Sequence, residues 1–115
     1  MKLEIPYCPP SLNEVLRYHW TQKSKLKDCW QLHILCALGL NGHLKPIVKM
    51  RCKITLYHSR LFDKDNAYGA CKVVVDALKS YRLIWDDTPE YLDLTVEQAK
   101  SSRKEARTVI ELEAV

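Results

Sequence analysis

Apolar and polar positions alternate near both ends of the chain and take up helical spacing in between. Lys2 to Ile5 alternates polar with apolar, which predicts a short strand. Pro6 and the segment Cys8-Pro9-Pro10-Ser11 end it, because proline brings no N–H to a ladder. Ser11 is placed to cap a short turn. From Thr21 to about Leu40 the apolar residues recur every three or four positions, predicting a long helix with Thr21 as N-cap and Gly39 and Gly42 near its stop. Beyond Trp30 that helix is apolar almost all round, which implies burial on two sides, within the domain or across a dimer interface.

The clearest strand runs from Val48 to Leu56. Val48, Met50, Cys52, Ile54 and Leu56 fall on one face, with Lys49, Arg51, Lys53 and Thr55 on the other. A loop, Tyr57 to Asn66, leads into a helix from Ala67 to Leu78, capped by Asp65 or Asn66. Leu92 to Val96 and Arg107 to Leu112 alternate again, flank the polar stretch Lys100 to Glu105 and are expected to form a hairpin with a long turn. The order of elements predicts an α+β fold: a small mixed sheet packed with two helices in a single domain spanning residues 1–115.

Composition narrows this picture. A chain of 115 residues suits one core, and 47% hydrophobic with 28% charged residues is ordinary globular usage, with no low-complexity tract or internal repeat. The longest apolar stretch, Ile34 to Leu40, is too short to span a bilayer, and Glu4 and two prolines interrupt the N-terminus before any signal-like run, so a cytoplasmic protein without a membrane partner is expected. Cys8, Cys29, Cys36, Cys52 and Cys71 form an odd set without a CxxC pair and are expected as reduced thiols. Cys29, His33 and Cys36 recur at helical spacing like metal ligands, but Leu26, Trp30, Ala37 and Leu40 beside them favour a core stripe.

Charge is unevenly placed. Met1 to Arg60 holds 10 Lys and Arg against 3 acids, a balance of +7, whereas Leu61 to Val115 holds 8 against 11, a balance of −3. A basic surface beside clustered acids suits an enzyme acting on a polyanion, since phosphates are attracted while a divalent cation is still held. Lys49, Arg51 and Lys53, at period two, are candidates for tracking a phosphate backbone, with a solvated strand face as the plainer alternative.

Chemistry concentrates in Phe62-Asp63-Lys64-Asp65-Asn66 and Ile84-Trp85-Asp86-Asp87-Thr88. In an extended chain Asp63 and Asp65 point the same way, and converging hard oxygen donors suit Mg²⁺. A calcium loop starting at Asp63 is excluded because Ala67 and Val74 stand where oxygen ligands are required. A phosphatase with an aspartyl nucleophile is disfavoured because the chain is too short for a doubly wound sheet.

Several segments in order carry a resemblance: Cys8-Pro9-Pro10-Ser11-Leu12-Asn13 with Arg17 beyond it, then Asp63-Lys64-Asp65-Asn66, then Lys72-Val73-Val74-Val75-Asp76-Ala77-Leu78, then Leu83-Ile84-Trp85-Asp86-Asp87. From end to end this resembles the RusA family of Holliday junction resolvases. The pieces PPSxN, DxDN, KxxxDAL and DD are each modest, and their order and the spacing from Asp76 to Asp87 give them specificity together. The resemblance implies a RusA-like, homodimeric α+β crossover junction endodeoxyribonuclease that nicks four-way DNA junctions in pairs. It would use Mg²⁺, with Mn²⁺ able to substitute. It places Asp63, Asp65 and Asp87 as metal ligands and Lys72 at the family's essential lysine position. Two departures stand out: the gap between Asp65 and Lys72 is about one helical turn longer, with Ala67-Tyr68-Gly69 as the extra turn, and Phe62 replaces a basic residue before Asp63. Arg60, Lys64 and the basic strand are then the candidates for phosphate contact. Arg17, Tyr18, His19 and Trp20 are expected as a buried aromatic anchor, with DNA contact as the alternative.

Two other classes fit the same residues. A non-catalytic module binding branched DNA would keep the basic strand and tolerate loss of Asp65 or Asp87. A metal-dependent hydrolase of a small phosphate ester would not need Lys49, Arg51 or Lys53.

Overall fold

A computed structural model describes residues 1–39 and 48–115. Leu40 and Gly42 lie outside the described residues. The elements are β1 (Lys2–Ile5), α1 (Leu12–Leu16), α2 (Trp20–Leu38), β2 (Met50–His58), α3 (Lys64–Ala70), α4 (Lys72–Ser80), β3 (Leu92–Lys100) and β4 (Arg107–Ala114), with a single 3₁₀ turn, Arg103–Glu105, between the last two. The architecture is α+β, with a mixed four-stranded sheet in the order β1-β4-β2-β3.

The sheet corrects the expected hairpin. β3 and β4 do not pair; β2 lies between them, parallel to β3 and antiparallel to β4. Alternation tells which face a residue takes, not which strand lies beside it, so pattern alone left the pairing open. The stretch after β3 crosses the end of β2, where the Ser101 N–H donates to the His58 carbonyl at 3.0 Å.

One face of the sheet carries Leu3, Ile5, Cys52, Ile54, Leu56, Ile110 and Leu112 into a single core. Trp30, Ile34 and Leu38 from α2 and Val74, Val75, Ala77 and Leu78 from α4 cover it. Leu32 and Leu35 remain exposed, so α2 is buried along one side of the described chain rather than two. Cys29, His33 and Cys36 fall just outside the buried stripe: both thiols are exposed, and the His33 ring stacks on Tyr7 with Trp30 edge-on to it. Burial also lowers the His33 pKa.

Helix boundaries move where side chains cap them. The N-cap of α2 is His19, not Thr21: its side chain accepts the Thr21 N–H, and the Gln22 side chain accepts the His19 N–H at 2.9 Å, a reciprocal capping box. Gly39 closes α2 with a φ of 61°, in the region glycine enters without a Cβ penalty. The stretch expected as one helix from Ala67 is two, because Asp63, rather than Asp65 or Asn66, caps a turn starting at Lys64, and the chain breaks at Cys71 before α4. The extra turn Ala67-Tyr68-Gly69 lies inside α3. A Cβ on Gly69 would lie 2.6 Å from the Leu12 Cβ, so glycine here lets α1 lie against α3.

Burial separates the cysteines chemically. Desolvation pushes the Cys52 and Cys71 thiols up to about 12, whereas Cys29 and Cys36 face solvent. Alkylation of the folded protein near pH 8 is expected to modify Cys29 and Cys36 first and leave Cys52 and Cys71 unmodified until denaturant is added. Peptide mass spectrometry checks the order; rapid labelling of Cys52 in the native protein would contradict the packing.

Candidate functional site

The Pro-rich segment is anchored to the ends of β2 and β4. The Cys8 thiol lies 3.3 Å from the carbonyls of Tyr57 and of Arg107, and the Thr108 hydroxyl donates to the Tyr7 carbonyl at 2.7 Å. Burial pushes the Cys8 thiol up. From that anchor Ser11 caps α1 by accepting the Glu14 N–H at 3.2 Å. α1 then reaches α3 directly: the Asn13 N–H donates to the Asn66 Oδ1 at 3.1 Å. Asn66 in turn donates its own N–H and its side-chain amide to the two oxygens of Asp63, at 2.9 and 3.0 Å. The PPSxN and DxDN segments, far apart in sequence, are thus one hydrogen-bonded unit.

The carboxylates differ in what holds them. Asp63 and Asp65 do not lie along an extended strand: Asp63 is an N-cap and Asp65 stands in the first turn of α3, where negative charge is favoured by the helix N-terminus. Asp65 is exposed and engages no other side chain among the described residues. Asp86 and Asp87 lie beyond α4, where the Lys79 ammonium sits 3.0 Å from Asp86 and 3.9 Å from Asp87. The Lys79 side chain, and then the Asp87 N–H at 2.8 Å, hold the Asp86 carboxyl below the usual carboxylate range, and Asp86 raises the Lys79 pKa in return. The interaction is therefore complete from just above the ordinary carboxylate pKa to just below the ordinary lysine pKa. It is lost as pH falls through the Asp86 value or rises through the Lys79 value. Lys79→Gln is expected to move the Asp86 titration back up toward the ordinary range, observable as a carboxyl carbon shift in NMR; an unmoved titration would contradict the pairing.

Among the described residues no three His, Cys, Asp or Glu side chains are gathered as a metal-holding group. Asp63, Asp65 and Asp87, the ligands the resemblance implies, are exposed carboxylates of the kind that suits a hard cation, and they are not gathered as such a group among the described residues. Lys72 begins α4 and is exposed, while Lys79, the partner of Asp87, lies at its other end, about 10 Å along the axis.

The basic strand lies on the sheet face opposite the helices. Arg51 sits 3.6 Å from Asp93 and 3.1 Å from Glu113, and Lys53 sits 3.3 Å from Glu97, so both cations are matched by acids on neighbouring strands. Lys49 is exposed just before β2. Arg60 and Lys64 flank Asp63 and are exposed, and Arg17, also exposed, closes α1. Trp20 is 71% exposed, so it is not the buried anchor expected: His19 is used as a cap, leaving the ring that follows at the helix surface.

Sequence reasoning missed Gln98. Its side chain clamps the residue before Asp63, accepting the Phe62 N–H at 2.8 Å and donating to the Phe62 carbonyl at 2.9 Å, while His58 Nε2 lies 2.9 Å from the same Gln98 oxygen. The His58 ring packs edge-on to Phe62. No spacing rule marks a glutamine on an edge strand as the holder of a distant loop. In comparisons with known proteins, no family model and no curated protein matches this chain.

Proposed function

We propose that the protein is a Mg²⁺-dependent, structure-selective DNA endonuclease that resolves four-way junctions, as its likeness to the RusA family implies. The observation that carries the reading is the linkage of α1 to the Asp63 turn through Asn13 and Asn66, which holds Asp63 in place beside the exposed Asp65 carboxylate. Two segments that supply the resemblance are thereby joined at one place. Asp63, Asp65 and Asp87 are the residues that would hold the cation. When bound, the cation supplies an activated water and offsets charge on the phosphate undergoing attack.

The chain's own residues have separable tasks. Asn66 orients Asp63, Gln98 fixes the chain entering it, and Arg17, Arg60 and Lys64 offer charge to flanking phosphates. Lys72 neutralises a phosphate, and Lys79 holds the Asp86 carboxyl below the usual carboxylate range while sitting 3.9 Å from Asp87. A homodimer with two-fold symmetry would present two sites in matching orientation, as paired nicks require. The reading places the protein in the cytoplasm; among the described residues no helix is long and apolar enough to cross a membrane.

The test compares hydrolysis of a small phosphodiester, bis(p-nitrophenyl) phosphate, with nicking of a synthetic junction at equal enzyme and Mg²⁺. Junction nicking far in excess of small-ester turnover is expected. Efficient turnover of the small ester without nicking would replace this reading with that of a phosphate-ester hydrolase.

A further inference from the structure

On the open sheet face Arg51 and Lys53 are matched as above and Arg107 is matched by Glu4 at 3.3 Å, whereas Lys2 in β1 and Lys49 just before β2 form no ion pair among the described residues. Lys23 and Lys27 of α2 and Lys72 of α4 form no ion pair among the described residues. These three lysines border a groove of about 220 Å³ between α1, α2 and the start of α4, floored by Leu12, Val15, Leu26 and Val73. Asp76 also borders it, so its rim keeps a positive balance.

An apolar floor between unmatched cations suits a sugar-phosphate chain, with deoxyribose on the floor and phosphates at the rim. Trp20, Lys23 and Lys27 recur at i, i+3 and i+7, so the exposed indole shares their face of α2. An aromatic ring beside a row of cations is the arrangement that binds unstacked bases. Gly69 and Ala70, at the end of the helix whose first turn carries Asp65, border the groove.

We propose that the groove between α2 and α4 binds one DNA strand where it leaves a duplex. Lys23, Lys27 and Lys72 neutralise its phosphates, and Trp20 stacks an unpaired base. The proposal rests on the DNA reading above and assigns DNA to the helical side rather than to the sheet.

The test is equilibrium binding of a fluorescent four-way junction in chelator, so that no cutting intervenes, across roughly 50 to 200 mM salt. Lys23→Gln with Lys27→Gln is expected to weaken binding about tenfold or more and to lower the log–log salt slope by about 2. Arg51→Gln with Lys53→Gln should leave the slope nearly unchanged. Trp20→Ala should weaken binding about tenfold with the slope intact. All these residues are at least partly exposed, and matched thermal melts confirm folding. Binding that ignores the groove lysines but loses slope with the sheet pair overturns the groove alone. No binding of any branched or single-stranded DNA by the unaltered protein overturns the DNA reading with it.

Discussion

Replacing Gln98 with leucine is expected to lower stability by about 2 to 3 kcal/mol and Tm by roughly 8 to 15 °C. Three polar contacts end at this amide: Phe62 N–H, Phe62 carbonyl and His58 Nε2. Because the Gln98 oxygen already accepts from Phe62, the His58 nitrogen facing it must be the protonated one, and the ring orientation is fixed by the same amide. Leucine fills the volume but orphans all three groups, and a partly buried orphan costs about 1 kcal/mol or more. Gln98→Glu keeps an acceptor for the Phe62 N–H and His58 but turns an oxygen toward the Phe62 carbonyl, so it should fall between the two. Thermal melts of the three proteins check this order. A loss under about 0.5 kcal/mol for the leucine variant, within the usual range for surface substitutions, would show that the loop is held by other contacts.

Asp65→Asn is expected to reduce nicking by about a thousandfold or more while leaving junction affinity in chelator within about threefold, since it removes one exposed negative charge that pairs with no side chain among the described residues. Asp63 requires a different comparison. Asparagine caps helices about as well as aspartate, so Asp63→Asn should fold normally and lose nicking, whereas Asp63→Ala should also cost about 1 kcal/mol through the lost cap. Single-turnover nicking and thermal melts on the same preparations separate charge from cap. Full activity in both asparagine variants would remove these residues from the chemistry.

Strand positions, the α2 body and the Ser11 cap were legible because each rests on local spacing or a single side chain. The break at Cys71 was not, since the apolar residues of α3 and α4 also fit one continuous helix. Nor was the pairing of β3 and β4, which depends on β2 arriving between them. The same topology decides the fate of the basic strand: Lys53 alternates like a phosphate contact, and only the register that places Glu97 on the adjacent strand shows its charge to be matched. Candidate acids were identifiable by residue type, but Asp63 as a cap, Lys79 against Asp86 and Gln98 against Phe62 depend on turns that spacing does not specify. Lys23 and Lys27 with Trp20 did carry a signal, a helical recurrence hidden by the expectation that the aromatic segment would be buried.

The most direct measurement is nicking of an end-labelled four-way junction against a matched linear duplex, with Mg²⁺ or with chelator, by the unaltered protein and by Asp65→Asn. Paired nicks at symmetric positions of the junction, absent from the duplex, from chelator and from Asp65→Asn, are expected. Tight junction binding with no cutting under any condition would instead make the protein a branched-DNA-binding module and contradict the nuclease assignment.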